Sequence, residues 1–353
     1  MKNLLLLFGG RSTEHDISCM SAENVLSEID RDAYTVFPVG ITKNGAWIYV
    51  PDETDLVLTD GSWEYKGISA ALSPDAVKKS LILFKDHGVE EIRIDVAFPV
   101  LHGLYGEDGT VQGLFELAGI PYVGSGVLAS AAGMDKSMTK LIVDTLGIRQ
   151  AEYVLLYRDE ILQGPEEASL KVEEQLSYPI FVKPACAGSS MGVSKAEDRD
   201  GLKHALVNAA KHDQKILCEA CINGRELECA VFADRERAFA SGVGEINAAA
   251  DFYDFDAKYY NEESQTDISP VLPEGAEEEI REDALRIFRA IGAYSLSRVD
   301  FFLDEKGVVF NEINTLPGFT AISMYPMLFE KQGVSKKELI DRLITTAFTH
   351  EEH

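Results

Sequence analysis

The sequence predicts an α/β protein of two or three domains with a large buried core. Its 353 residues exceed an ordinary single domain, and apolar strands alternate with amphipathic helices along the chain. The chain also opens with an apolar strand, Leu4–Phe8, followed by a Gly9-Gly10 turn and a helix. Strand, glycine turn and helix in this order are typical of a parallel sheet, and ligands bind at the carboxyl ends of its strands.

Further elements follow the same alternation. In chain order, the predicted elements are helix Asp16–Ile29, strands Tyr34–Ile41 and Ile94–Leu101, helices Thr110–Ala118 and Ser130–Leu146, strand Ser177–Pro184, helix Asp198–Ala210, strands Lys215–Glu219 and Gly224–Val231, and helices Ala276–Gly292 and Lys336–Phe348. Residues 44–90 show no clear pattern. The stretch 251–270 is rich in Tyr, Asp and Glu, and structureless loops of that length inside a domain are usually functional.

Three residues in loops or at strand ends are candidate ligand groups. Glu14 follows the first strand, although on its own position it fits an acid in the first turn of the helix better than a ligand group. His102 begins a glycine-rich loop after a buried strand. Lys183 precedes a Gly/Ser loop, residues 185–193, whose backbone N–H groups could surround phosphate oxygens beside the lysine charge. A flexible surface hairpin is the alternative for this loop.

The most informative stretch, near the C-terminus, predicts two strands joined by a three-residue turn that ends at Gly307. In that register Asp300 pairs with Glu312. Arg298 pairs with Asn314. Because side chains alternate along a strand, all four then point to one face, and a slip by one residue would scatter them over both faces.

One face of this hairpin would therefore carry two carboxylates, an amide oxygen and a guanidinium. Mg²⁺ prefers oxygen ligands and often uses one or two carboxylates together with substrate phosphates. A solvated polar face is the alternative. The neighbouring side chains are apolar, namely Phe301, Phe302, Phe310, Ile313 and Leu316. Because carboxylates in such surroundings need a partner or a metal, the sequence predicts a Mg²⁺–phosphate site.

Composition excludes some classes of partner. The net charge of −26 disfavours nucleic acid and anionic membranes, so phosphate must be bound by local lysines and Mg²⁺. No apolar run approaches the roughly 18 residues of a membrane span, and the N-terminal run is too short for a signal peptide, so we expect a cytoplasmic protein. Five cysteines, an odd number, also indicate reduced thiols. Cys218 and Cys221 could form a metal or redox pair, but their spacing in a strand puts them on opposite faces.

Seven motifs occur along the chain. They are Gly9-Gly10-x-Ser12-x-Glu14, Leu101-His102-Gly103-x-x-Gly106-Glu107-Asp108-Gly109, Met134-Asp135-Lys136, Val182-Lys183-Pro184 with Gly188-Ser189-Ser190, Phe252-Tyr253-Asp254 through Ala257-Lys258-Tyr259, Arg298-x-Asp300, and Asn311-Glu312-x-Asn314-x-x-x-Gly318. In this order and spacing they resemble the D-alanine–D-alanine ligase family of the ATP-grasp superfamily, over nearly the whole chain. Departures at Cys186, Ala187 and Phe255 remove no group with an implied role.

The resemblance implies a three-domain ATP-grasp fold with ATP between the last two domains. The N-terminal α/β domain would span 1–128, the central subdomain 129–215 and the C-terminal subdomain 216–353, with 251–270 as a lid. Asp300, Glu312 and Asn314 would hold two Mg²⁺ ions, which Mn²⁺ can replace. The implied nucleotide contacts are Lys136 and Lys183 to the phosphates, Glu219 and Ile222 to the adenine edge, and Glu226 to the ribose.

The remaining implied residues surround the two amino acids. Glu14 would bind the ammonium of the first D-alanine, near His102, and Arg298 with the Gly318 backbone N–H would stabilise oxyanions. Ser189, Glu14 and Tyr259 would form a hydrogen-bonded link across the site. On the acceptor side, the implied residues are Tyr253 in the acceptor pocket, Ser323 and Met324 facing the carboxylate of the second amino acid, and Lys258 and Tyr259 in the lid.

The implied activity is ATP-dependent joining of two D-alanines through an acylphosphate, by a homodimer, for peptidoglycan precursor synthesis. One alternative is a resistance-type ligase that joins D-alanine to D-serine or D-lactate, and another is an ATP-binding or regulatory protein without catalysis. D-Lactate-forming relatives lack the tyrosine found here as Tyr259. D-Serine-forming relatives tend to have Phe and Arg in place of Tyr253 and Met324. The chain has the D-alanine pattern at all three positions, and no catalytic group is missing.

Overall fold

The computed structural model describes residues 1–51, 57–186, 188, 191–247 and 265–350. Their strands form three sheets with helices packed on them, which confirms the predicted α/β class. The strands of the first sheet are β1 Lys2–Gly9, β2 Tyr34–Ile41, β3 Trp47–Tyr49, β4 Ile68–Leu72, β5 Ser80–Lys85, β6 Gly88–Arg93 and β7 Val96–Leu101. Its helices are α1 His15–Glu28, α2 Trp63–Lys66 and α3 Thr110–Ala118.

The first sheet is parallel only in part. Its strand order is β6-β5-β4-β3-β2-β1-β7, and β1 pairs in parallel with β2 and β7, as predicted. From β2 to β6, neighbouring strands are antiparallel. The region that showed no sequence pattern thus extends the sheet by four antiparallel strands, because short connections can join only antiparallel neighbours.

Gly40 in β2 provides the space that the buried ring of Trp63 fills. A Cβ at Gly40 would lie 2.3–2.7 Å from ring atoms of Trp63, whose indole N–H donates to the Leu58 carbonyl at 3.0 Å. We therefore expect Gly40→Ala to lower the free energy of unfolding by about 1–3 kcal/mol. Gly113→Ala is the control, since a Cβ there would meet nothing within 4 Å and alanine favours a helix. If chemical denaturation gave Gly40→Ala the same free energy of unfolding as the wild type, this packing would be contradicted.

The second sheet has four antiparallel strands. They are β8 Tyr153–Tyr157, β9 Ile180–Pro184, β10 Ser194–Ala196 and β11 Lys215–Ala220, in the order β10-β9-β11-β8. Its helices are α6 Arg158–Gln163, α7 Pro165–Glu173 and α8 Arg199–Ala209, which enclose a core of their own. Because β11 belongs to this sheet, the sheet extends past the domain boundary predicted after residue 215.

The helix predicted for residues 130–146 is two helices, α4 Val127–Met134 and α5 Lys136–Leu146. Asp135 lies between them in an extended conformation, and its carboxylate accepts the backbone N–H groups of Ser137 and Met138. An aspartate that caps a helix in this way stabilises a new N-terminus. The cap places Lys136 in the first turn of α5, where its own N–H donates to the Ala185 carbonyl at 3.0 Å.

The third sheet carries the predicted hairpin. Its strands are β12 Arg225–Ala233, β13 Ala238–Asn247, β14 Gln265–Asp267, β15 Ser295–Asp304 and β16 Gly307–Asn314, antiparallel in the order β14-β13-β12-β15-β16. The remaining helices are α9 Ala276–Ile291, α10 Met324–Lys331 and α11 Lys336–His350. The last two share a hydrophobic core with the first sheet. Within the described ranges, no helix is long and apolar enough to cross a membrane.

The register of the β15–β16 hairpin is confirmed, although its turn differs from the prediction. Asp300 pairs with Glu312, and Arg298 pairs with Asn314. The turn has two residues, since Asp304 already pairs with residue 307, and a bulge beside Asp300 restores the predicted register. Bulges often occur next to active sites, where they redirect side chains.

Candidate active site

A cavity of about 780 Å³ lies between the second and third sheets and the loops that follow β1 and β7. The predicted site residues that line it are Glu14, Lys136, Lys183, Glu219, Ile222, Glu226, Arg298, Asp300, Glu312 and Asn314. The structure thus brings every predicted nucleotide and metal residue into one space. The lining also includes Lys140, Glu107 and Glu228, for which the sequence had predicted no role.

His102 and Gly318 do not line this cavity, but one serine connects their surroundings. His102 is buried, with its Nε2 atom 3.3 Å from Ser21 Oγ. The same hydroxyl accepts the backbone N–H of Phe319, next to Gly318, at 3.3 Å. The loop after β7 and the segment after β16 therefore meet on α1.

Ser323 and Met324 lie at the start of α10, also outside the lining. Ser323 Oγ accepts the backbone N–H of Thr320 at 2.9 Å, so this hydroxyl closes the turn that precedes the helix. Met324 is buried in the hydrophobic core, where its sulfur is close to Gly244. Its side chain thus contributes to packing in this structure.

Four predicted site residues lie outside the described residues, namely Ser189, Tyr253, Lys258 and Tyr259. Most of the predicted lid, 251–270, also falls there, and only its end from residue 265 is described. The roles implied for these residues stay predictions.

The face of β15 is organised around Arg298. Its guanidinium donates to both carboxylate oxygens of Asp300, at 2.7 Å each, and its Nε lies 3.2 Å from a carboxylate oxygen of Glu228. All three side chains are buried. A bidentate pair with a second carboxylate beside it fixes the plane of a guanidinium. Glu228 follows Glu226 at strand spacing, but only the pairing of β12 with β15 brings it beside Asp300, and no sequence pattern indicated that pairing.

On β16, Glu312 and Asn314 connect the hairpin to other parts of the chain. The Glu312 carboxylate lies 3.3 Å from Lys136 Nζ at the start of α5. With its amide oriented to satisfy both ends, Asn314 donates to Glu107 at 2.8 Å and accepts from Arg298 at 3.3 Å. Burial alone would lower the pKa of Lys136, but Glu312 and then Glu219 outweigh it and raise this pKa.

The oxygen ligands on this face fit a hard divalent cation whose coordination shell is completed by other ligands. In the described part of the chain, no group of three or more His, Cys, Asp or Glu side chains could hold a metal unaided. Asp300 and Glu312 supply carboxylate oxygens, and Asn314 supplies an amide oxygen. A carboxylate has more lone pairs than a single arginine uses. Magnesium commonly takes its remaining ligands from water and substrate phosphate.

Opposite this face, two lysines share one carboxylate. Lys183 on β9 forms an ion pair with one oxygen of Glu219 on β11, and Lys140 Nζ lies 2.7 Å from the other oxygen. Glu219 is buried, and burial would raise its pKa, yet the two lysines together lower it. For Lys140, burial has the larger effect and lowers the pKa despite Glu219. Lys140 lies one helical turn after Lys136, a spacing that puts both on one face of α5 but does not reveal the contact with Glu219.

Glu14 lies where two glycines allow close approach. A Cβ on either Gly103 or Gly188 would come within 2.7 Å of Glu14 Oε2. Gly103 has a φ of +69°, which favours glycine, and its N–H donates to Glu107 at 2.8 Å. The loops after β7 and β9 therefore converge on one buried carboxylate, which can attract a cationic group to this end of the cavity.

Comparisons with known proteins match the whole architecture. The family descriptions "D-ala D-ala ligase N-terminus" and "D-ala D-ala ligase C-terminus" match residues 3–125 and 142–345. A D-alanine–D-alanine ligase of Acetivibrio thermocellus is 49% identical over 98% of this chain and 96% of its own length. That of Caldicellulosiruptor bescii is 47% identical over 97% of this chain and 94% of its own length.

Solved structures of ligases from the same group of proteins have a similar fold. The VanG D-Ala:D-Ser ligase from Enterococcus faecalis has a TM-score of 0.88 at 36% identity, over 98% of this chain and 99% of that one. The D-alanine–D-alanine ligase from Coxiella burnetii has a TM-score of 0.84 at 30% identity, over 99% of this chain and 95% of that one. Since both halves of the sequence match and the relatives cover almost its full length, the chain belongs to the D-alanine–D-alanine ligase family, as the motifs predicted.

Proposed function

We propose that this protein joins two D-alanine molecules to D-alanyl-D-alanine with conversion of ATP to ADP and inorganic phosphate, for peptidoglycan precursor synthesis. The observation that carries the proposal is a cavity that brings Lys136 and Lys183 together with the oxygen-rich face of β15 and β16. In such a cavity the lysines can bind a polyphosphate, and its γ-phosphate can be held close to a carboxylate that must be activated.

The chemistry requires activation because an amine cannot displace oxide from a carboxylate. The carboxylate oxygen of the first D-alanine attacks the γ-phosphorus of ATP, and ADP leaves. The amine of the second D-alanine, having lost a proton, attacks the acyl carbon of this acylphosphate. The tetrahedral oxyanion then collapses, the peptide bond remains, and inorganic phosphate leaves with the original carboxylate oxygen.

Residues around the cavity bind the first D-alanine and stabilise the oxyanion. Glu14 binds the ammonium of the first D-alanine, since its buried carboxylate lies where two loops converge. Arg298, held in one plane by its carboxylates, stabilises the oxyanion with the backbone N–H of Gly318. His102 borders the first amino acid. For Ser189 and Tyr259 we propose, from the motifs alone, a hydrogen-bonded link with Glu14.

The nucleotide and acceptor residues follow the family pattern. The proposed nucleotide contacts are Lys136 and Lys183 to the phosphates, Glu219 and Ile222 to adenine, and Glu226 to ribose. The proposed acceptor residues are Tyr253, Lys258, Ser323 and Met324. Asp300, Glu312 and Asn314 would hold two Mg²⁺ ions, or Mn²⁺ in their place. Bound Mg²⁺ neutralises phosphate charge during both transfers.

A D-serine acceptor is the second candidate, because one of the most similar folds belongs to a D-Ala:D-Ser ligase. Product analysis separates the two. We expect D-alanine alone to give dipeptide, ADP and phosphate in equal amounts, and equimolar D-serine or D-lactate to take only a minor share. A predominant mixed product would establish the resistance-type activity instead. ADP that forms equally without D-alanine, or not at all, would contradict ligation.

We further propose a cytoplasmic homodimer in which each chain is divided near residue 128 and again after β11, a few residues past the predicted boundary at 215, with 251–270 as the lid. Family membership supports this arrangement. These statements stay predictions, and the oligomeric state is measurable by light scattering coupled to size-exclusion chromatography.

A further inference from the structure

Lys140 is a buried lysine that has no role in the reaction proposed above. Its side chain is only 2% exposed. Its ammonium contacts the Glu219 carboxylate at 2.7 Å, lies 3.4 Å from the Ala151 carbonyl oxygen and is 5.1 Å from the centre of the Tyr153 ring. Burying an ammonium is costly unless it is paired, so this placement needs a reason.

The reason lies in the charge balance around Glu219. This carboxylate contacts two ammonium groups, one on each oxygen, and all three side chains are at least seven-eighths buried. Without Lys140, Glu219 and Lys183 would form a closed neutral pair. Drawing Lys183 out of such a pair would leave a buried carboxylate unpaired, which is strongly unfavourable. With Lys140 present, Lys183 can leave while Glu219 keeps a partner.

The two remaining lysine contacts explain why Lys140 stays in place. The Ala151 carbonyl before β8 and the ring of Tyr153 contact its ammonium in addition to Glu219. Lys136, on the same face of α5, has its own acid in Glu312. Lys183 is therefore the lysine whose availability depends on what else neutralises Glu219.

We propose that Lys140 is a positioning residue that neutralises Glu219 and thereby makes Lys183 available to the phosphates of the bound nucleotide. The proposal rests on the nucleotide site proposed above. It assigns Lys140 no contact with ATP. It predicts that removing the Lys140 charge weakens the recognition of phosphate more than the recognition of adenosine, because Lys183 then stays on Glu219.

The test is a comparison of two ligands by calorimetry without D-alanine, ATP with Mg²⁺ and adenosine. We expect Lys140→Met to lower the ratio of ATP affinity to adenosine affinity by roughly tenfold, the scale of coupling between charges in contact. Lys171→Met is the matched control, since Lys171 pairs with Glu160 at 2.8 Å on the exposed surface of the same sheet's helices. Lys171→Met should have the same ratio of ATP affinity to adenosine affinity as the wild type.

A double variant, Lys140→Met with Glu219→Gln, separates charge balance from packing. The double variant has no buried carboxylate at position 219, so it should fold and can be measured even if Lys140→Met alone does not fold. We expect its ratio to return close to the wild-type value, because Lys183 no longer has an anionic partner. Equal weakening of both ligands in Lys140→Met, or a double variant whose ratio stays low, would overturn the proposal.

The readout is also independent of the ligase reaction. A protein with these binding ratios that makes no dipeptide would refute the proposed function and leave the role of Lys140 intact. A wild-type ratio in Lys140→Met would refute the role of Lys140 even if dipeptide formation proceeds normally.

Discussion

Replacing Glu312 with Gln should lower turnover by roughly 10³-fold or more in a protein that remains folded. The change removes the negative charge of one of the two carboxylates that we propose as metal ligands, so the bound metal would lose much of the negative charge that balances its own. Several kcal/mol of transition-state stabilisation depend on such an ion, and each 1.4 kcal/mol corresponds to a factor of ten. The measurement is ADP release with saturating ATP and D-alanine.

Glu305→Gln in the turn of the same hairpin is the control and should retain the wild-type rate, because Glu305 is exposed at the opposite end of the strands. A higher concentration of Mg²⁺ or Mn²⁺ should recover part of the rate in Glu312→Gln. If the variant were slow only because the contact with Lys136 is lost, more metal would not recover the rate. A folded Glu312→Gln protein with a near-normal rate would disprove the proposed metal face.

Replacing Arg298 with Ala should lower turnover by roughly 10²–10³-fold, the usual scale for removing one oxyanion donor. ATP affinity should change little, because Arg298 acts on the acyl group. The structure adds a second consequence. Asp300 and Glu228 would lose their buried cation, so the alanine variant should also lose about 3–5 kcal/mol of stability.

Arg298→Lys distinguishes these two effects. Lysine keeps a positive charge between the carboxylates but cannot form the bidentate, planar contact. We expect the lysine variant to be more stable than the alanine variant while its turnover stays low. If instead ATP binding is lost and chemistry per bound complex is unchanged, Arg298 is a phosphate-binding group and the oxyanion assignment is wrong.

The hairpin shows how far the sequence could predict the site. Alternation and a glycine turn were sufficient to pair Asp300 with Glu312, although the register arises from a two-residue turn and a bulge. A bulge depends on backbone strain and side-chain contacts across the sheet, which no local pattern reports. The break at Asp135 was missed for a similar reason, since a capping aspartate also occurs within longer polar helix faces.

Residues that were missed at the site share one property, namely that their partners lie far away in the chain. Lys140 meets Glu219 only because α5 packs against the second sheet, and Glu228 meets Arg298 only because β12 pairs with β15. Single-sequence spacing cannot supply such contacts. The antiparallel extension of the first sheet was missed because its strands are short and its edge strand β6 is mostly exposed.

The most direct measurement of the central claim is an isotope-transfer experiment. The protein is incubated with ATP, Mg²⁺ and D-alanine whose carboxylate carries ¹⁸O, and the inorganic phosphate is analysed by mass spectrometry. Activation through an acylphosphate predicts one ¹⁸O atom in each phosphate released and ADP as the nucleotide product. Unlabelled phosphate, or label in AMP, would contradict the account.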